Sequence, residues 1–207
     1  DILGSIAHVE MLFRQKIITF KIKNMIIYGL QKIEKDILKN KFDFNEKYED
    51  IHINIEKKLF EIIGEEAGYI HTARSRNDQV LVDFKIWIKN ANREINSNLD
   101  KIINSILKLA EANIMTIMPG FTHLQRGQPI WLAHHLLAHA WSLSRDRERV
   151  ADVRRRVDRS PLGAAAMAGT PHPIDRVRTA ELLNFGGICE NAMDAVAARD
   201  HLMEAGS

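Results

Sequence analysis

From Val80 to Ile117 the chain contains neither proline nor glycine, and apolar residues return every three or four positions: Val80, Phe84, Trp87, Ala91, Ile95, Leu99, Ile102, Ile106 and Leu109. That rhythm predicts one amphipathic helix of about 35 residues, about 50 Å long at 1.5 Å per residue. A stripe of that length finds no cover inside a globule of 207 residues. The chain is therefore expected to be all-α, an elongated helical bundle whose long helix is shared between subunits. Two portions follow: a small N-terminal helical portion over 1–76 and the central long-helix bundle over 77–207.

The flanking segments fit that picture. Residues 1–18 carry an apolar face (Ile6, Val9, Leu12, Phe13), and Thr19 is placed to cap a second helix through Ile22, Ile26, Ile33 and Ile37. A third helix is expected from Tyr48 to Ile63, ended by Gly64. Residues 65–77 read as loop. Pro119, Gly120, Gly127 and Pro129 mark 118–129 as an irregular connection between helices, with Pro129 in the first turn of the next helix. That helix runs on through the arginine-rich stretch 145–159. Residues 161–173 form a loop of small residues, open to two readings: close helix packing or a phosphate cradle, although the spacing matches neither common nucleotide-binding pattern. A short helix near 176–183 and a last one opened by Asn191 complete the chain.

Composition excludes several functions. A net charge of +2 argues against a dedicated nucleic-acid binder. No run of 18 uncharged apolar residues offers a membrane span. The single cysteine, Cys189, rules out an internal disulfide and fits a reducing compartment, so a cytoplasmic setting is expected. The opening residues, Asp1 to Ser5, lack the basic start and apolar run of a signal peptide. Within the chain, all 14 lysines lie at or before Lys108, while 11 of 15 arginines lie at or after Arg126. Folding physics does not demand such a switch. It is what two related parents joined near Gln125 would leave, and uniform base composition across the source DNA would count against that origin.

Two segments concentrate polar chemistry. His71 to Gln79 places Arg74 and Arg76 among Thr72, Ser75 and Asn77 at the start of the long helix, where unpaired N–H groups and the helix dipole favour an anion. One reading is a site for a carboxylate-bearing small molecule, since guanidinium groups match carboxylates; the other is capping by Asn77 or Asp78. The second segment holds Thr122, His123, Gln125 and Gln128. His123 is suited to proton transfer and Thr122 and Gln125 to orienting a carboxylate, or the stretch is a polar connection with an exposed histidine. Asp50 reads as a helix cap and His52 as a supporting site residue. His134, His135 and His139 invite a metal reading, but no acid or cysteine stands at ligand spacing. A packed histidine pair is the alternative, and no metal is expected.

These segments resemble argininosuccinate lyase of the fumarase/aspartase superfamily. The likeness lies in Asp1-x-x-Gly4-Ser5-x-Ala7-His8, Glu49 to His52, His71 to Val80, Pro119 to Pro129, Pro161 to Gly163, Asn191-x-x-Asp194 and Arg199-Asp200, in the family's order. The resemblance implies a homotetramer whose active sites are built by three subunits. It also implies β-elimination of argininosuccinate to arginine and fumarate without metal or organic cofactor. By motif position His123 belongs to the acid/base pair, Asn77 and Thr122 bind substrate, and Ser75, Arg76, Gln125 and His52 assist.

The chain departs from the family pattern at three small residues. Ala73 stands where the family has glycine, Gly127 where it has alanine, and Ala192 where it usually has serine. The family's N-terminal substrate-binding segment and its mobile Gly-Ser-Ser loop with the catalytic serine are expected before residue 1 and beyond residue 207. The 207 residues by themselves are therefore expected to turn over little or nothing. Two alternatives stay open: a non-catalytic helical scaffold like the lens crystallins that share this fold, and a sister lyase of the adenylosuccinate lyase or fumarase type. The wording of 75–79 and 122–129 favours the argininosuccinate branch.

Overall fold

The computed structural model describes residues 1–206. Among them the chain forms α1 (Ile2–Arg14), α2 (Phe20–Leu38), α3 (Ile51–Ile63), a 3-10 helix (Gly64–His71), α4 (Arg76–Ala112), β1 (Ile117–Thr122), β2 (Gln125–Trp131), α5 (Leu132–Val157), α6 (Arg176–Leu182), α7 (Ala192–Ala197) and α8 (Asp200–Gly206). The helical class expected from the periodicity is present, with a two-stranded hairpin added. No helix among the described residues is long and apolar enough to cross a membrane.

The chain divides into two compact units. The first comprises 1–86 and 158–199, the second, among the described residues, 87–157 and 200–206. In the first unit α1, α2 and α3 bury Leu12, Ile26, Leu30, Ile33, Ile55 and Leu59 completely. Each such side chain contributes roughly 1.5–3 kcal/mol by leaving water. Gly29 permits the close approach of α2 to α3: a Cβ there would sit 2.4 Å from Leu59 Cδ1. The expected caps are in place. Thr19 Oγ1 accepts from Ile22 N, and Asp50 Oδ1 accepts from Ile53 N at 2.7 Å. Gly64 ends α3 at φ +78°. A smaller cluster of Val82, Leu162, Ala180 and Phe185 packs the first-unit part of α4 against the 158–199 segment.

Helix α4 is 37 residues long, about 55 Å. In the second unit Ile95, Ile102 and Leu109 of the predicted stripe, with Leu107 beside it, are 43–52% exposed, so much of this apolar face is uncovered in a single chain. Ile88 packs there on Val153 and Val157 of α5. The arginine-rich stretch is a solvated, paired surface: Arg147 meets Asp100, Arg149 meets Asp146, Arg155 meets Asp152 and Arg156 meets Glu204.

Four local expectations need correction. The segment 118–129 is not an irregular loop but an antiparallel hairpin, with Met118 opposite Ile130, Pro119 opposite Pro129 and Thr122 opposite Gln125. Pro129 therefore lies in β2, and α5 starts three residues later. Two facing prolines are tolerated because a two-stranded ribbon leaves outward edges that need no N–H donor. The stretch 65–77 is mostly 3-10 helix, and α4 begins at Arg76 rather than Val80. The last helix is interrupted: Ala198, in extended conformation, separates α7 from α8.

Candidate active site

The first-unit segment is built around the amino end of α4. Ser75, not Asn77 or Asp78, is the cap: its Oγ accepts from Asn77 N at 3.3 Å, and Asp78 Oδ1 accepts in return from Ser75 N at 3.0 Å. This is a reciprocal capping box, and the spacing Ser75-x-x-Asp78 is its sequence signal. Asp78 is fully buried, and its other oxygen accepts from Gly163 N and Ala165 N, both at 2.9 Å. Burial pushes the Asp78 carboxyl above the usual carboxylate range, and the three N–H donors oppose that shift. Asn77 is exposed and donates from Nδ2 to Ala166 O at 3.0 Å.

The two arginines of this segment are committed to the protein. Arg76 Nη1 donates to Gln79 Oε1 at 2.7 Å and Glu56 Oε1 at 3.1 Å, and its Nε lies 3.2 Å from Asp50 Oδ2. Arg74 turns inward and donates to Ser5 Oγ at 2.9 Å. Burial lowers its pKa to about 10, against the pull of Asp83, Glu56 and Asp78. Arg76 is about one-third exposed at its side chain. Glu56 also lies 2.8 Å from His71 Nε2; burial pushes its carboxyl up, but His71 and Arg76 outweigh this and hold it low.

His52 is buried, with Nδ1 3.3 Å from Asp1 Oδ1 and 3.6 Å from Asp83 Oδ2. Burial depresses its pKa, partly offset by Asp83. Asp1, His52 and Asp83 are the one group among the described residues with metal-ligand reach, their donor atoms lying within 4.8 Å of one another. Asp1 Oδ1 is already engaged, accepting from Gln79 Nε2 at 2.6 Å and Ser5 Oγ at 3.3 Å. The group thus acts as a polar seam joining α1, α3 and α4. His8 belongs to the same layer: Nε2 pairs with Thr72 O at 2.8 Å, and burial, aided by Arg74, lowers its pKa to about 3.

Thr122, His123 and Gln125 sit in the second unit at the hairpin tip, and all three are exposed. Thr122 and Gln125 close the last strand pair, so His123 and Leu124 are the two turn residues. Both have positive φ, 49° and 62°. A two-residue turn of this hand matches strand twist but favours Asn or Gly at both positions, so the tip is strained. Leu124 is 99% exposed. Thr122 opens onto a hollow of about 750 Å³ lined by Met118, Gln128 and Ile130 and by His134 and His135 of α5. His135 and His139 are exposed and meet edge to face at 5.0 Å, a packed pair one helical turn apart.

The predicted site residues thus fall into two groups. His52, Ser75, Arg76 and Asn77 lie in the first unit, and Thr122, His123 and Gln125 in the second. Residues missed as contributors are Glu56 and Asp83; the loop 163–166 was open to a cradle reading, but its partners Asn77 and Asp78 lie 85 to 89 positions away and leave no local pattern.

Three comparisons bear on this arrangement. The profile of a family described as Lyase matches residues 3–207. Argininosuccinate lyase of Pelagibacter ubique is 60% identical over 204 residues, covering 99% of this chain and 44% of that protein. Argininosuccinate lyase of Staphylococcus carnosus is 50% identical, covering 99% and 45%. The chain therefore spans less than half the length of these relatives. Among solved structures, EDDS lyase in complex with formate superposes with a TM-score of 0.89 at 29% identity, and a doubly substituted EDDS lyase variant with bound fumarate with 0.88 at 29%. Each covers 99% of this chain and is itself covered to 40%.

Proposed function

The chain belongs to the lyase family whose profile spans residues 3–207, and from that premise we propose that it contributes two active-site segments to an argininosuccinate lyase. The reaction is β-elimination. A base removes the proton beside a carboxylate, an aci-carboxylate forms, the C–N bond breaks, and an acid protonates the departing guanidinium nitrogen. Fumarate and arginine result, and the chemistry needs no metal or organic cofactor. The enzyme is a cytoplasmic homotetramer of arginine biosynthesis with active sites shared between subunits.

The observation that carries this reading is the amino end of α4. Ser75 and Asn77 stand at the positive end of a 37-residue helix, where N–H groups and dipole favour a carboxylate. Asn77 keeps its amide oxygen and one N–H for a ligand, because the other N–H is spent on Ala166 O. Arg76, held by Asp50, Glu56 and Gln79, keeps that end rigid. His52, in its seam with Asp83 and neutral at pH 7, supports the same layer. At the hairpin tip Thr122 and Gln125 orient a carboxylate beside His123, the histidine of the acid/base pair, which is exposed at the turn. The uncovered stripe of α4 supports assembly, since Ile95, Ile102, Leu107 and Leu109 need a partner surface.

The test follows fumarate absorbance with argininosuccinate as substrate. The 207 residues alone are expected to release little or none. The same residues joined to the remaining segments of the Pelagibacter ubique relative are expected to turn over. A joined protein that folds and assembles but yields no fumarate would refute the proposal. Release by the 207 residues alone would refute the need for the serine loop.

A further inference from the structure

Asp78 is a carboxylate with no solvent contact, yet its hydrogen-bond partners are neutral backbone N–H groups: Ser75 N at 3.0 Å, and Gly163 N and Ala165 N at 2.9 Å. Gly163 and Ala165 are both left-handed, at φ +92° and +52°. Neighbouring N–H groups turned inward by such backbone form a concavity that binds phosphate or carboxylate. The small-residue loop is thus an anion cradle whose anion is supplied by the chain itself. Its entrance is crowded: a Cβ on Gly163 would lie 2.6 Å from Arg176 Cγ and 2.9 Å from Ile174 Cδ1. The next residue of the loop is held too, because Ala166 O accepts from Asn77 Nδ2 at 3.0 Å. Two consecutive residues in the first turn of α4 therefore clamp 163, 165 and 166 together.

We infer that Asp78 is a positioning residue: by filling the cradle at 163–165 it docks the loop on the amino end of α4 and so fixes the amide of Asn77 and the cap Ser75 for a carboxylate ligand. The functional half of this inference rests on the role proposed above for Asn77. A single orientation is imposed on Asn77 before any ligand arrives. With the loop released, Asn77 and Ser75 have to be ordered at binding, which weakens ground-state and transition-state recognition alike. The expected signature is a rise in KM of roughly 2–10-fold with little change in kcat.

The experiment compares wild type, Asp78→Asn and Asp78→Ala. In the 207-residue chain, amide hydrogen exchange at Gly163 and Ala165 is expected to quicken at least about tenfold in both variants, as loss of a charge-assisted hydrogen bond implies. Formate, the fragment that Asp78→Ala removes, is expected to slow exchange again and raise the melting temperature of that variant while leaving wild type unchanged. Unchanged exchange in both variants, or an Asp78→Ala chain that formate neither folds nor protects, overturns the docking. In the joined protein of the fumarate assay, Asp78→Asn is expected to raise KM and spare kcat. Quickened exchange with an unchanged KM overturns the positioning role alone. A wild-type protein without fumarate release overturns the lyase reading and, with it, the positioning role; the exchange and formate results still decide the docking.

Discussion

At the amino end of α4 a cap serine, a buried carboxylate and a loop of small residues satisfy one another, whereas at the tip of the β1–β2 hairpin Thr122, His123, Leu124 and Gln125 all face solvent. The first segment is largely satisfied within the chain. Arg76 is paired with Asp50 and Glu56, the Asp78 carboxylate is bonded on both oxygens and the exposed Asn77 is tethered, while Arg74 keeps Nε and Nη2 buried without a hydrogen-bond partner. The second carries polar groups on a strained turn, with only the open hollow beside Thr122 next to them. On the proposed reading the contrast separates two tasks: carboxylate recognition, fixed by local burial, and proton transfer, placed on an arm that the single chain leaves open, as it leaves the apolar face of α4.

The largest effect is expected from the exposed segment, and on rate alone. In the joined protein, His123→Asn should lower kcat by about 10²–10⁴-fold, the usual worth of a positioned acid or base. The melting temperature should hold or rise slightly, because the ring is exposed and asparagine suits the left-handed turn position better than histidine. A kcat within a few-fold of wild type would move the acid/base role elsewhere. A large fall in melting temperature would show that the tip is structural after all.

The buried segment should instead reveal itself through pH. Folded His8 stays neutral down to about pH 3, held so by burial and Arg74, while the unfolded chain takes up the proton near the ordinary histidine value of 6.5. Below that value the unfolded state binds more protons, so stability present above about pH 6.5 is lost as pH falls toward 3. Between pH 6.5 and 4.5 the loss is about 2–3 kcal/mol. His8→Gln keeps a donor for Thr72 O but cannot titrate. Its urea-derived stability should therefore fall less over the same interval, with the shifts of Asp78 and Asp83 common to both proteins. Parallel curves for the two proteins would show that His8 is not the titrating group.

A glycine in the cradle extends the contrast. Gly163→Ala adds a Cβ 2.6 Å from Arg176 Cγ at a left-handed φ of +92°. Strain and overpacking together should cost about 2–4 kcal/mol in urea unfolding. A loss under about 0.5 kcal/mol would mean that the loop gives way easily and clamps little.

Much of this fold was readable in the sequence, and the exceptions share a cause. The unbroken rhythm from Val80 to Leu109 foretold α4 because helical contacts are local, and Thr19, Asp50, Gly64 and Asn191 marked ends for the same reason. The hairpin was missed because its four Pro and Gly residues read as breaks, while the pairing that uses them joins residues up to 14 positions apart, Ile117 with Trp131. Asp78 was readable as a possible cap. Its role as an anchor was not, since Gly163 and Ala165 lie 85 and 87 positions away. The site residues were named through the motifs, but the inward turn of Arg74 depends on Ser5, 69 positions distant.

Ala73 tests the buried side more gently. It sits at φ +60° just before the cap, where the family pattern has glycine. A left-handed alanine costs roughly 1–2 kcal/mol, and glycine returns part of that as lost chain entropy. Ala73→Gly should therefore stabilise the chain by about 0.5–1 kcal/mol in urea melts. Destabilisation would mean that the methyl group packs better than the strain implies.

The smallest effect should come from the opposite departure, on the hairpin. Gly127 stands where the family has alanine, has no positive φ, and offers a Cβ only ordinary contacts, 3.6 Å to Gly120 O and 3.9 Å to Thr122. Glycine within a strand gives up chain entropy without packing. Gly127→Ala should thus add up to about 0.5–1 kcal/mol, opposite in sign to the same change at Gly163. The difference arises because the cradle is closed around its backbone and the hairpin is open. Equal losses at both positions in urea melts would erase that distinction, and with it the reason for assigning fixed recognition to one segment and the proton-transferring arm to the other.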